Sequence, residues 1–127
     1  RPTYHFLIGG QFVAHPPGRP DNPVPSDDYV DYDVTVTRPE HPIMEGIGSF
    51  RLRSEQYYML VDPSNDVLAT TTFSGEHLWR IPVAWTRRWD RGRVFYCSIG
   101  HELADLEVPQ VTEIIRRGAL WAARQGS

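Results

Sequence analysis

The amino-acid sequence predicts an α/β fold, and three of its stretches carry that expectation. Val94 to Ile99 is a short, almost continuously apolar run bounded by Gly92 and Gly100, the pattern of an interior strand buried on both faces. Between Val108 and Arg124, residues Val111, Ile114, Ile115, Gly118, Ala119 and Ala122 recur at i, i+3, i+4, i+7, i+8 and i+11, which is one face of an α-helix. Tyr32, Val34 and Val36 alternate with Asp31, Asp33, Thr35 and Thr37, the period of a half-buried strand, expected at a sheet edge.

The remaining elements follow from local chemistry. Tyr4 to Ile8 is an apolar piece that fits either a strand or a helix, and it leads into Gly9-Gly10, where close backbone approach or positive φ is allowed. Residues 16 to 29 hold five of the eleven prolines among Asp, Asn and Ser, which marks a solvent-facing excursion. Arg38 to Phe50 is punctuated by Pro39, Pro42, Gly46 and Gly48 and reads as turns, with one helical turn near Ile43 to Glu45. Asp62-Pro63-Ser64-Asn65 is a turn signal, and strands are expected over 67–73 and 82–87. Pro82 argues that the second of these begins there or lies at an edge, and Asp90-Arg91-Gly92 suits a hairpin turn into the Val94 strand. Val111 to Arg124 is the helix that packs on the sheet, entered through Pro109 and left before Gly126.

With 127 residues and 40% hydrophobic content the chain has the size and apolar material of one domain. A net charge of -3 gives no broad attraction to nucleic acid or an anionic membrane, and no apolar run approaches the roughly 18 residues of a membrane span. One cysteine excludes an internal disulfide framework. The chain opens at Arg1 without a Met and is expected to be part of a longer polypeptide.

Five histidines are present, and none forms a His-x-x-x-His pair, so any metal site must be assembled across loops. His15 follows the Gly-Gly loop and His101 the strand-Gly100 turn; each admits acid/base work or ligation, and equally a structural hydrogen bond. His41, between Glu40 and Pro42, reads as structural, and His5 and His77 as partly exposed. Glu55 and Tyr57, two apart on an extended segment, project to one side, where a carboxylate and a phenol could serve a sugar hydroxyl, a proton transfer or a metal; the plainer reading is a surface Glu beside a core Tyr. Cys97 lies inside the apolar strand, which disfavours a cysteine nucleophile, and Arg87, Arg88, Arg91 and Arg93 read as a solvated turn.

Taken in order, Tyr4-His5-Phe6-Leu7-Ile8-Gly9-Gly10-Gln11-Phe12-Val13-Ala14-His15-Pro16, Glu40-His41-Pro42-Ile43, Ser54-Glu55-Gln56-Tyr57-Tyr58, Pro82-Val83-Ala84-Trp85, Gly92-Arg93-Val94-Phe95-Tyr96 and Gly100-His101 resemble the later portion of the ThuA-like, or trehalose-utilisation, family. Gly118 to Ala123, with Trp121, completes the set. The resemblance implies a flavodoxin-like, class I glutamine-amidotransferase-like sandwich of which the N-terminal βα units are absent. It does not imply glutaminase activity, because the family generally lacks the amidotransferase cysteine. It implies a cytoplasmic carbohydrate-processing protein acting on trehalose-related disaccharides or their keto derivatives, as isomerase, lyase or hydrolase. The alternative is a non-catalytic sugar-binding or scaffolding domain. By the same resemblance His15, Glu55, Tyr57 and His101 are pocket residues, without their individual roles; the expectation adopted is that His15, His101 and Glu55 are catalytic and that Tyr57, Gly10 and Gln11 bind substrate. A divalent metal such as zinc, if used, would be held by His15 and His101. The expected partner is a small carbohydrate, neither nucleic acid nor membrane, with self-association left open. The spatial expectation is that His15, Glu55, Tyr57 and His101 meet in one cleft at the carboxyl ends of the strands.

Overall fold

The computed structural model describes residues 2–14, 29–73, 79–100 and 103–124. In chain order they form α1 (Pro2–Ile8), β1 (Gly10–Ala14), β2 (Tyr29–Val36), β3 (Phe50–Glu55), β4 (Tyr58–Val61), β5 (Asp66–Phe73), β6 (Trp79–Trp89), β7 (Gly92–Cys97), α2 (Leu103–Leu106) and α3 (Pro109–Ala123). Five strands make one sheet in the order β3-β2-β5-β6-β7, and β1 pairs with β4 as a separate two-stranded ribbon. The chain is thus a mixed, strand-rich structure with few helices, and every described strand pairing is antiparallel.

The period-two pattern of β2 is realised as expected: Val30, Tyr32 and Val34 are buried while Asp31 and Asp33 face outward. Its expected edge position is not, because β2 lies between β3 and β5. The outward aspartates are cross-strand neighbours of Arg53 and Arg51, in ion pairs of 3.6 and 3.2 Å that align the two strands.

The Val94 strand is corrected in the opposite sense. It forms β7, which ends at Cys97, is half-buried, and lies at the edge of the described sheet. Its continuous apolar run reflects cover on both faces. Phe95 and Cys97 pack into the large core against α3, whereas Tyr96 packs with Trp85 in a second cluster beneath the ribbon. Neither contact requires a neighbouring strand on each side.

Pro82 is also placed differently from expectation. It sits inside the eleven-residue β6, between β5 and β7, opposite Thr70. The β5–β6 register shifts at Ala69/Thr70, next to the position where proline offers no N–H to the ladder. The Asp90-Arg91 turn behaves as the sequence requires: Trp89 pairs with Gly92, and Asp90 takes φ 54°.

α3 buries Val111, Ile114 and Gly118 and leaves Leu120 exposed. α1 resolves the ambiguity at Tyr4 to Ile8 as a helix. It ends at Gly9, φ 85°, whose N–H bonds to the His5 carbonyl. No helix among the described residues is long and apolar enough to cross a membrane.

Candidate functional site

β3 and β4 belong to different sheets, so the chain must pass from one to the other within Gln56 and Tyr57. Gln56 anchors the passage: it is fully buried, and its Nε2 donates to Thr71 Oγ1 at 2.6 Å. With Gln56 turned inward, Glu55 and Tyr57 come together, and Tyr57 Oη donates to Glu55 Oε2 at 3.0 Å. Phe12 of the ribbon packs edge-on to the Tyr57 ring, with 4.9 Å between centroids. Burial, and then the bond to Glu55, push the Tyr57 phenol up to about 12. At neutral pH it is therefore a proton donor facing a carboxylate, a pair that can bind a hydroxyl group or relay a proton from one.

A second tier of polar groups supports this pair. Tyr32 Oη donates to the Glu55 backbone carbonyl at 2.9 Å. Ser54 Oγ donates to Asp105 Oδ2 at 2.7 Å, and both residues are almost wholly buried. Burial first, then the Asp105 charge, hold the Tyr32 phenol far above its ordinary value. Nothing local in the sequence marks Ser54, Tyr32 or Asp105 as site residues. Tyr32 reads as a core position, and an acid flanked by Ala104 and Leu106 carries no local sign that it turns inward.

The sequence-derived candidates divide into three groups. Glu55 and Tyr57 meet directly. His15 and His101 lie outside the described residues, as do His77 and the 16–28 excursion. Ala14, the last residue before His15, pairs with Tyr58, so β1 ends beside Tyr57. Gly10 and Gln11 pair with Val61 and Leu60 at the other end of β1. Gln11 is thus three residues, roughly 10 Å of strand, from the Ala14 end.

There Gly10 and Gln11 line a cleft of about 520 Å³ with His5, Phe6, Leu60 and Asp62. The Gly-Gly pair has a packing cause: a Cβ on Gly10 would lie 2.9 Å from the Trp85 ring, and one on Gly9 2.4 Å from Asn65 Oδ1. Trp85 is held by its Nε1, which donates to the Ile8 carbonyl at 2.7 Å.

Arg87 is not part of a solvated turn. Its side chain is only 10% exposed, 3.3 Å from the Asp62 carboxylate, and its Nη1 donates to Asn65 Oδ1 at 2.8 Å. Arg93 lies over the Trp121 ring at 5.0 Å. His41 has the structural role expected of it, its Nδ1 accepting the Ile43 N–H at 3.1 Å. Burial pushes the Cys97 thiol up to about 11, which leaves it a poor nucleophile. Among the described residues no group of three or more His, Cys, Asp or Glu side chains is placed to hold a metal ion.

Residues 1–122 match the sequence model of the ThuA family, described as trehalose utilisation. The crystal structure of a ThuA-like protein from Parabacteroides merdae superposes with a TM-score of 0.63 at 24% identity, covering 91% of this chain and 41% of that one. That likeness concerns the fold, and the chain spans less than half the length of that relative. No curated protein matches.

Proposed function

The chain belongs to the ThuA, or trehalose-utilisation, family, and from that premise we propose that it is a carbohydrate-processing protein acting on trehalose-related disaccharides or their keto derivatives. The observation that carries the reading is the 3.0 Å contact between the Tyr57 hydroxyl and the Glu55 carboxylate, at the end of the strand that leads to His15. Within it Glu55 binds or deprotonates a sugar hydroxyl, Tyr57 donates a hydrogen bond to the neighbouring oxygen, and His15 and His101 act as acid/base partners. An uncharged, hydroxyl-rich ligand suits a site whose donor and acceptor already satisfy one another, since it can enter by exchanging one bond for two.

On the same reading the chain is the later portion of a flavodoxin-like, amidotransferase-like domain, whose parallel strands would add at the open edge of β7. The 41% share of the Parabacteroides merdae structure that the chain covers supports this. A cytoplasmic setting and self-association belong to the same proposal.

The rival reading, sugar binding without conversion, is favoured by one feature. The cleft at Gly10 and Gln11 contains an aromatic face in Phe6 and a carboxylate, Asp62, already engaged by Arg87. Such a wall can hold a sugar ring without acting on it.

The test is calorimetric titration with trehalose and a keto derivative, followed by product analysis by NMR. Conversion by the wild-type protein that is lost in Glu55→Gln and Tyr57→Phe is the expected result. Binding by the wild-type protein with no conversion of either sugar would assign the rival reading.

A further inference from the structure

Asp105 is the one carboxylate among the described buried residues, 2% exposed, and it stands on α2, a helix of only four residues. A desolvated carboxylate costs several kcal/mol unless its surroundings compensate, and an apolar residue of similar volume would pack as well or better. One of the groups that compensate it is Ser54, the residue before Glu55, whose hydroxyl donates to the Asp105 carboxylate.

The end of β3 is held from two sides. Asp105 fixes the Ser54 side chain at 2.7 Å, and Tyr32 Oη fixes the Glu55 carbonyl at 2.9 Å. Ser54 points into the core and Glu55 the other way, as strand alternation requires. Restraining the backbone at both positions determines where the Glu55 carboxylate meets Tyr57. Burial first, then the bond to and the charge of Glu55, favour the protonated form of the Tyr57 phenol, with Tyr96 and lastly Asp105 adding in the same direction.

We propose that Asp105 is a positioning residue which, through Ser54 and in concert with Tyr32, sets the geometry of the Glu55–Tyr57 pair. The inference rests on the reading of that pair as the group that meets the sugar. It adds a buried tier reached from α2, immediately downstream of residue 101, to a site otherwise built from β3 and the ribbon.

The experiment uses the whole chain with 13Cζ-labelled tyrosine, the Tyr57 resonance being assigned with Tyr57→Phe. Glu55→Gln defines the shift produced when the Tyr57 hydroxyl loses its carboxylate acceptor. Asp105→Leu and Ser54→Ala are expected to move the Tyr57 resonance toward that position at neutral pH, and Ser54→Thr, which keeps the hydroxyl, to restore it. Affinity for trehalose should fall about tenfold in Ser54→Ala, which removes the donor to the Asp105 carboxylate, the scale of one hydrogen bond to a charged group. The Ser54→Ala/Glu55→Gln double variant should bind no more weakly than Glu55→Gln alone. If no sugar binds the wild-type protein, the functional reading fails while the tyrosine resonance still decides this inference. A folded Ser54→Ala whose Tyr57 resonance is unmoved overturns it. Should that variant not fold, an unmoved resonance in Asp105→Leu does the same.

Discussion

Gly118→Ala should destabilise the protein, although helix propensity alone predicts the reverse. The position lies in the middle of α3, where alanine is favoured over glycine by about 1 kcal/mol. A Cβ there would lie 2.3, 2.4 and 2.5 Å from Cε2, Cδ2 and Cζ of Phe95. Carbon atoms at ease stand about 3.5–4.0 Å apart, so the shortfall exceeds 1 Å at three atoms of one rigid ring. Phe95 is itself packed against the large core and cannot turn aside freely, so α3 must retreat from β7. Overpacking of this kind costs about 1–3 kcal/mol, and three simultaneous clashes place it in the upper half of that range. After the propensity gain, a net loss of about 1–2 kcal/mol remains, or a melting temperature lower by roughly 3–8 °C for a domain of this size. Thermal unfolding followed by circular dichroism measures it. Gly118→Ala/Phe95→Leu should recover part of the loss, and Leu120→Ala, on the exposed side of the same helix, should change little. A Gly118→Ala protein that melts at or above the wild-type temperature would refute the close approach of α3 and β7.

Two further outcomes are expected. Arg87→Met removes the partner of Asp62 and Asn65 beneath the ribbon, and should cost about 2 kcal/mol, less than a fully buried pair because Asp62 remains 28% exposed; an unchanged urea midpoint would contradict the pairing. His41 is held below the usual histidine range chiefly by burial and further by Arg38, with Asp66 and Glu40 pulling the other way, and its Nδ1 must stay unprotonated to accept the Ile43 N–H. Its folded value thus lies below its unfolded value of about 6.5, so the stability it contributes is complete above that pH and declines as pH falls through the folded value. Melting temperatures between pH 5 and 7 should drop less steeply in His41→Gln than in the wild type, and equal slopes would remove His41 as the cause.

The parts of the fold that were legible in sequence are those whose signal is local. The 3.6-residue stripe of α3, the alternation of β2 and the Asp90-Arg91 hairpin each arise within one element and appear as expected, except that Ala119 of the stripe is exposed and Trp121, outside it, packs on the core. Strand order does not arise that way. Val94 to Cys97 resembles an interior strand because its two faces meet different clusters, yet the hydrogen-bonding edges of a strand leave no mark on side-chain polarity. β2 shows the converse: its outward aspartates resemble an exposed edge, but they face solvent from the middle of the sheet, over Arg51 and Arg53. Apolar pattern reports what covers the faces, and strand neighbours have to be learned from the structure.

The site divides along the same line. Glu55 and Tyr57 were legible because two positions on an extended chain share a side, and the buried Gln56 between them enforces that geometry. Gly9-Gly10 was legible as a demand for small residues, but its cause is supplied by Asn65, Trp85 and Arg87, more than fifty positions away. Asp105 left no trace, since its partner Ser54 is fifty-one positions distant and an aspartate in a short helix resembles any surface acid. The sequence thus exposes the pair proposed to meet a ligand, whereas the groups that hold that pair in place act through contacts between distant segments. Substitutions chosen from sequence motifs alone would probe Glu55 and Tyr57 and leave untested the tier through which α2 governs their geometry.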